Sequence, residues 1–295
     1  MARAQGAIEQ LIRLRAKQHP HDTWLKFKDQ EFSWEQVLSN IHRAANGLLA
    51  LGVAPGDRVA IMMGNRPEFL WIHFAIGFIG AVSVPVNTSQ RGVTLHHVLA
   101  DSDSAAVIFE ELLRDSVMAV KDSLPSLKAT VVADGKIGNG VDTTLDALMA
   151  HPDREPDIDV GSSAGGANMM YTSGTTGPPK GVIASGGDST ALSAVLGAIK
   201  VRPGETIYTA LPLFHGNALM ISGFGSMTLD AKFVRKSASS TAVLPPPTTA
   251  TRLPRKKKPS QVAQADTPKP LNFSSEASPS QLACAPVAMM RVSVL

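Results

Sequence analysis

Short apolar runs alternate with amphipathic stretches along the first 235 residues. Apolar residues recur at helical spacing over residues 7–18, 34–51 and 67–78, and each stretch predicts a helix. Ser33 precedes the second stretch as an N-cap, and Gly52 follows it as a stop signal. Short β-rich runs predict strands over residues 59–63, 82–86, 106–109, 130–132, 168–172 and 207–211.

This alternation of helices and strands predicts the fold class. Strands that are short, apolar throughout and separated by helices are typical of parallel sheets covered on both faces. We therefore predict an α/β fold in which helices layer both sides of a sheet, an αβα arrangement. The sequence shows no internal repeat.

The alternating pattern ends near residue 235. Residues 236–295 hold nine of the 20 prolines, none of the 24 glycines, and Phe273 as their only aromatic residue. Such a segment cannot bury enough apolar area to offset the entropy cost of ordering, so it is predicted to be disordered. We therefore predict a partial domain over residues 1–234 and a Pro/Ser/Lys-rich tail over residues 235–295.

The charge of the chain is concentrated in the same tail. Residues 236–295 carry eight Lys/Arg against two Asp/Glu, a net charge of +6, which leaves −3 on residues 1–235 from the total of +3. The basic run "LPRKKKPSQ" at residues 253–261 offers a nonspecific contact to phosphates. It has no interleaved aromatic residues for base stacking, so a solvated charge run is the favoured interpretation. We expect no specific nucleic-acid partner.

Other sequence features bound the cellular context. Cys284 is the single cysteine, which excludes an intramolecular disulfide and a metal site built from cysteines. No apolar run reaches the roughly 18 residues of a membrane-spanning helix, since residues 69–86 are interrupted by His73 and Pro85. The first 20 residues lack the apolar core of a signal peptide. We expect a cytoplasmic protein without a transmembrane segment.

The most distinctive stretch is "YTSGTTGPPKGV" at residues 171–182. Gly174 and Gly177 permit positive φ angles, so that successive backbone N–H groups can converge on an anion. A proline pair then stiffens the exit of the loop. Hydroxyl donors and a positive charge complete the set: Ser173, Thr175, Thr176 and Lys180. These groups together favour a polyphosphate ligand.

The spacing excludes two common phosphate motifs. Pro179 stands five positions after Gly174, and Gly181 follows Lys180, so the spacing GxxxxGK[ST] fails. The dinucleotide pattern GxGxxG does not match either. A turn-rich surface loop is the alternative for a generic Gly/Ser/Thr cluster. Twelve consecutive positions form too distinctive a string for that interpretation to be favoured.

This string resembles the signature loop of the adenylate-forming superfamily, the AMP-dependent synthetases and ligases. Two more stretches agree in order and spacing: residues 32–87, which contain "GDRVA" and "GAVSVPVN", and "LPLFHGNAL" at residues 211–219. The "PLFH" and "NTSQRG" forms resemble acyl-CoA synthetases, of the crotonobetaine/carnitine or fatty-acid type. The resemblance covers about residues 7–234 and concerns the N-terminal portion of the family only.

The resemblance implies the following site. Residues that would bind the phosphates of ATP are Thr172, Ser173, Gly174, Thr175, Thr176, Gly177 and Lys180. Thr176 would be a ligand of Mg²⁺, and the acyl pocket would be lined by Phe214, His215 and Gly216. The partners would be a small carboxylic acid, ATP and coenzyme A. His73, His96 and His97 have no such support, and we assign them structural roles.

His215 allows two interpretations. Alone, a histidine after an apolar run is more often a hydrogen-bonded core or loop residue. The loop upstream makes the role in lining a pocket the better interpretation.

In relatives, the remaining catalytic groups lie further along the chain: an aromatic-Gly-x-Thr-Glu stretch, a ribose-binding Asp, and a small C-terminal domain with a catalytic lysine. Residues 220–295 contain none of them, so we expect no complete catalytic set here. The expected function is that of a fragment of an ATP-dependent acid-thiol ligase, inactive alone. The complete enzyme would adenylate a carboxylate, release pyrophosphate and form the CoA thioester. The alternative is a non-catalytic nucleotide- or phosphate-binding remnant, or a regulatory partner of an intact ligase.

The change near residue 235 also has structural consequences. A shifted reading frame and a genuine appended tail would each account for it. In either case a sheet that stops there should leave apolar surface uncovered near residues 210–227.

Overall fold

The computed structural model describes residues 6–160, 167–172, 177–184 and 201–235. The chain divides into two compact units, and every described residue belongs to the first of them. The second unit, Ser240–Met289, lies outside the described residues, as do residues 236–295 of the predicted tail. Arg235, the first residue of that predicted tail, is the last residue of the final described strand.

The described helices and strands alternate along the chain. The helices are α1 (Ala7–Gln18), α2 (Trp34–Ala50), α3 (Pro67–Phe78), α4 (Gly92–Asp101), α5 (Arg114–Lys121), α6 (Leu145–Met149), a π-helix (Asn217–Phe224) and α7 (Gly225–Thr228). The strands are β1 (Thr23–Phe27), β2 (Gln30–Ser33), β3 (Arg58–Met62), β4 (Val82–Pro85), β5 (Ser104–Phe109), β6 (Ala129–Val132), β7 (Thr143–Thr144), β8 (Ala167–Thr172), β9 (Lys180–Ala184), β10 (Thr206–Thr209) and β11 (Lys232–Arg235).

The larger sheet contains seven of the described strands, in the order β7-β6-β5-β3-β4-β8-β9. Its pairs are parallel except for β8 and β9, which form an antiparallel hairpin at one edge. Val59 and Ile61 of β3 pack into a core cluster with α2 and α3, whereas Ala60 and Met62 pack into a second cluster with α4 and α5. Helices therefore cover both faces of this sheet, which confirms the predicted αβα layering.

A smaller sheet joins the beginning of the chain to the last described strands. Its order is β10-β11-β1-β2, and β1 pairs in parallel with β11, with Leu25 opposite Phe233. The strand predicted over residues 207–211 is β10 of this sheet. The sequence patterns did not predict β1, β2 or β11.

Helix α2 shows how local sequence sets the bounds of an element. Ser33 Oγ accepts a hydrogen bond from the backbone N–H of Gln36, and the Gln36 side chain accepts one from the N–H of Ser33. This reciprocal capping box satisfies two N–H groups that the helix leaves unpaired. After the helix, Gly52 adopts a φ of +82°, which glycine reaches without steric cost. The predicted N-cap and stop signal are both confirmed.

The expectation that apolar surface would be left uncovered near residues 210–227 is mostly wrong. Ala218, Leu219, Phe224 and Met227 are buried and belong to the same core cluster as α2 and α3. They are covered because the π-helix and α7 fold back against the N-terminal elements. Leu211 alone fits the expectation among the large apolar side chains there, with 43% of its surface exposed.

Across the parts of the chain that the structure describes, no helix combines the length and apolar composition needed to cross a membrane.

Candidate functional site

The hairpin of β8 and β9 flanks the distinctive glycine-rich loop. Thr172, the last residue of β8, lies opposite Lys180, the first residue of β9. Residues directly opposite in an antiparallel pair have Cβ atoms about 5 Å apart. Both side chains are exposed at the base of the loop, as is Gly177. The other four predicted phosphate-binding residues lie outside the described residues: Ser173, Gly174, Thr175 and Thr176.

The side chains of the hairpin divide between two faces. Alternation along β8 puts Asn168, Met170 and Thr172 on one face and Met169 and Tyr171 on the other. Opposite residues of an antiparallel pair share a face. The side chain of Lys180 therefore projects from the same face as Met170.

The predicted pocket segment lies against that face. A Cβ atom added to Gly216 would stand 3.5 Å from the terminal methyl group of Met170, which is ordinary van der Waals contact. The rings of Phe214 and His215 are 4.6 Å apart between centroids, and the His215 side chain is exposed. The structure thus brings Gly216, and with it the chain segment that holds Phe214 and His215, to the face that carries Lys180, although 36 positions separate Lys180 from Gly216.

Hydrogen bonds from the large sheet hold the pocket segment in place. The N–H of Leu213 donates to Asn65 Oδ1 at 2.8 Å, just beyond the carboxyl end of β3. The neighbouring N–H of Gly64 donates to Glu110 Oε1 at 3.1 Å. Burial raises the pKa of Glu110, although the nearby Arg66 guanidinium opposes that rise. Asn65 and Glu110 were not singled out in the sequence; the available signal was a polar residue shortly after an apolar strand, three positions after β3 for Asn65 and directly after β5 for Glu110.

Asn168 is a further polar residue on the face that carries Met170. Its side chain is 5% exposed, and its Nδ2 lies 3.6 Å from the sulfur of Met220 in the π-helix. Its Oδ1 is buried and has no hydrogen-bond partner among the described residues. Single π-helical turns occur frequently at functional sites. A polar residue inside an otherwise apolar strand was the sequence signal for this position.

Helix α4 contacts the opposite face of the hairpin. The Tyr171 hydroxyl donates to Asp101 Oδ2 at 2.7 Å, and His97 Nε2 donates to the carbonyl oxygen of Pro179 at 2.7 Å. Burial raises the pKa of Tyr171 above its usual range, and the carboxylate of Asp101 raises it further. Gly181 fits here because an added Cβ would lie 2.3 Å from the terminal methyl group of Met169 and 3.1 Å from the Tyr171 ring.

Within the described ranges, no group of three or more His, Cys, Asp and Glu side chains could hold a metal ion. Thr176, the predicted ligand of Mg²⁺, lies outside those ranges. An open cavity of about 760 Å³ between α1 and α2 is lined by Arg13, His42 and Asp153 and by no residue of the hairpin. That cavity is separate from the candidate site.

The chain is similar to known proteins over most of its length. The family profile described as "AMP-binding enzyme" matches residues 12–256. The chain is 35% identical over 206 residues to a feruloyl-CoA synthase from an Amycolatopsis species, covering 70% of this chain and 39% of that protein. It is 33% identical over 205 residues to the long-chain-fatty-acid–CoA ligase FadD13 of Mycobacterium tuberculosis, covering 68% and 39% respectively.

A solved structure shows the same fold. The inhibitor-bound N-terminal domain of FACL13 from Mycobacterium tuberculosis superposes with a TM-score of 0.70 at 28% identity, covering 78% of this chain and 57% of that one. The chain thus spans about two fifths of the length of the curated relatives it matches.

Proposed function

The chain belongs to the AMP-binding enzyme family, as an N-terminal part resembling the acyl-CoA ligases, and we propose that its own role is to bind the phosphates of ATP. The residues that would contact the phosphates are those at the base of the loop, Thr172, Gly177 and Lys180, with Ser173, Gly174, Thr175 and Thr176 between them. Thr176 would contribute a hydroxyl ligand to Mg²⁺.

One observation carries this proposal. Thr172 and Lys180 share a face with Met170, and Met170 lies against Gly216 of the pocket segment. A phosphate held at the base of the loop would therefore lie on the side of the sheet where Phe214 and His215 stand. A carboxylate lodged in that pocket would lie on the same side of the sheet as the phosphates. In-line attack would then require it to approach the α-phosphate opposite the departing pyrophosphate.

The chemistry asked of the described residues is electrostatic. Nucleotidyl transfer depends on positioning and on stabilising the charge that develops on the phosphate oxygens. The ammonium group of Lys180 is a point charge suited to the departing pyrophosphate, and the hydroxyl of Thr172 adds one hydrogen-bond donor. Neither residue would form or break a covalent bond in this step, so Thr172 and Lys180 would act by binding and orienting the phosphates.

We further propose that the complete enzyme would use a carboxylic acid and coenzyme A, and that this chain alone does not turn over ATP. Similar proteins are named feruloyl-CoA synthase and long-chain-fatty-acid–CoA ligase, so ferulate and long-chain fatty acids are the first acids to test. The groups that complete adenylation in longer relatives are absent from residues 220–295.

Nucleotide binding by the purified chain tests the first part. We expect measurable affinity for Mg-ATP that is strongly weakened in Lys180→Ala. Lys17→Ala is the matched control, because it removes the same charge from an exposed position on α1. Absence of binding at about 1 mM ATP, the weak end of useful affinity, would refute the phosphate site.

Exchange of labelled pyrophosphate into ATP tests the second part. The assay would include ferulate and a series of fatty acids of increasing length. We expect no exchange above background from the chain alone. Robust exchange with any acid would show that the chain contains a complete adenylation site.

A further inference from the structure

Helix α4 contacts the glycine-rich loop on both of its sides. Tyr171, in the strand before the loop, donates its hydroxyl hydrogen to Asp101. Pro179, the last residue of the loop, accepts a hydrogen bond from His97 at its carbonyl oxygen. His97 and Asp101 are four positions apart and so lie on one face of α4. The two hydrogen bonds bridge 70 and 82 positions of sequence, so neither is a local consequence of chain continuity.

We propose that His97 and Asp101 are positioning residues that tie Tyr171 and Pro179 to α4 and thereby fix Thr172 and Lys180 relative to each other. This inference rests on the proposed phosphate-binding function. Tyr171 immediately precedes Thr172, and Pro179 immediately precedes Lys180. Each hydrogen bond therefore acts one residue away from a side chain that would contact phosphate.

Helix α4, which makes these contacts, is packed against the core. Leu95, Val98 and Leu99 of α4 are at most 2% exposed and pack with β3, β5 and α5. The face of α4 that carries His97 and Asp101 is therefore fixed to the central sheet. A hydrogen bond to a rigid partner orients a flexible segment more effectively than one to a mobile partner.

The donor and acceptor groups of the two contacts suit stable hydrogen bonds between α4 and the hairpin. A carbonyl oxygen can only accept, so the bond to Pro179 requires a proton on His97 Nε2. The phenol of Tyr171 donates to a carboxylate, and hydrogen bonds of this charge-assisted kind are stronger than neutral ones. The rings of His97 and Tyr171 also meet edge to face, 6.5 Å between centroids at an interplanar angle of 84°.

Energetic reasoning predicts the size of the effect. A ligand that binds between Thr172 and Lys180 must otherwise order both side chains itself, and that entropy cost lowers affinity. Loss of one neutral hydrogen bond corresponds to a change of about 3- to 10-fold in an equilibrium constant. We expect His97→Phe to weaken binding of inorganic tripolyphosphate and of ATP by about this factor.

The experiment compares variants of the full chain by amide hydrogen exchange and by binding of tripolyphosphate. His97→Phe keeps a ring against Tyr171 but removes the donor, and His97→Gln restores an N–H at a similar reach. We expect His97→Phe to accelerate exchange within residues 177–184 only, and His97→Gln to exchange and bind almost as the parent chain does. His96→Phe, the neighbouring histidine on α4, is the matched control and should leave both measurements unchanged.

A double variant separates positioning from a general structural role. If His97 acts through Lys180, then His97→Phe combined with Lys180→Ala should bind tripolyphosphate no more weakly than Lys180→Ala alone. Additive losses would overturn the proposal, as would unchanged exchange in residues 177–184 of His97→Phe.

Failure of the proposed function gives a different result. A parent chain that binds neither tripolyphosphate nor ATP refutes the phosphate site, while hydrogen exchange still shows whether α4 fixes the hairpin. If His97→Phe does not fold, Tyr171→Phe removes the other hydrogen bond with a smaller change, and faster exchange near residue 171 is then the expected result.

Discussion

The indole nitrogen of Trp24 donates a hydrogen bond to Ser226 Oγ at 3.0 Å inside the core, across 202 positions of sequence. Trp24 lies on β1 and stacks on Trp34 and Phe233. Ser226 lies on α7 and is fully buried. The first strand and the last described helix are thus parts of one core, and residues 206–235 are integral to the domain.

Ser226→Ala should therefore destabilise the fold. The substitution leaves the N–H of Trp24 buried without its acceptor, which costs about 1–3 kcal/mol of unfolding free energy. Urea unfolding followed by tryptophan fluorescence would measure it. Thr228→Ala is the matched control on α7, because the exposed Thr228 hydroxyl bonds only within its own turn. A loss in Ser226→Ala no larger than in Thr228→Ala would contradict the prediction.

The sequence predicted three helices closely because periodicity and capping residues lie within or next to each helix. Helices α1 and α3 have the predicted bounds, and α2 ends one residue early, because helical periodicity and caps are encoded within the helix. Strands β1 and β11 were missed because each is stabilised by the other, with Leu25 opposite Phe233. The equally short strands β3, β4 and β6 were recognised as uncharged runs, whereas β1 contains Lys26 and β11 begins with Lys232, so neither stands out as an apolar run without its partner.

The candidate site divides in the same way. The apolar run over residues 168–172 predicts β8 and the loop after it, whereas the antiparallel pairing with β9, which sets Thr172 opposite Lys180, was not predicted. The contacts of His97 and Asp101 could not be predicted, because they depend on which face of α4 meets the hairpin. That orientation follows from the burial of Leu95 and Val98 in a core assembled from distant strands.

Helix α2 approaches α6 closely at Gly47. A Cβ atom there would lie 2.4 Å from the carbonyl oxygen of Leu148, a backbone atom that cannot turn aside. Gly47→Ala should therefore destabilise the domain by about 1–3 kcal/mol, as overpacking does. Alanine favours helix by about 1 kcal/mol over glycine, so helix propensity alone predicts the opposite sign. Thermal or urea unfolding that shows a more stable variant would exclude the clash.

Burial of His73 makes stability depend on pH. The side chain is 5% exposed, with Nδ1 2.9 Å from Ser83 Oγ, and burial lowers its pKa to about 3. An unfolded histidine has a pKa near 6.5, so between pH 6.5 and 3 the unfolded chain binds a proton that the folded chain does not. Stability from this group is complete above about pH 6.5 and is lost as the pH falls.

The slope is at most about 1.4 kcal/mol per pH unit, so about 2 kcal/mol should be lost between pH 7 and pH 5. Glutamine does not titrate, and the difference in unfolding free energy between these two pH values should shrink by that amount in His73→Gln. His21→Gln, at a side chain that is 86% exposed, is the matched control and should leave the difference unchanged. An equal pH dependence in His73→Gln and the parent chain would contradict the assignment.

Replacing Asn168 with leucine should stabilise the fold. Its Oδ1 is buried without a hydrogen-bond partner among the described residues, and a buried carbonyl without a partner costs about 1–3 kcal/mol. Leucine, of similar length, removes that cost and packs against Met220. The free energy of unfolding of Asn168→Leu, measured with urea, should therefore rise by about 1 kcal/mol. Asn168→Asp is the contrasting variant, because a buried charge there should destabilise strongly. Natural chains retain such costs mainly where function requires the polar atom. A more stable Asn168→Leu would show that the buried amide costs stability, and a less stable one would show that the amide serves the fold.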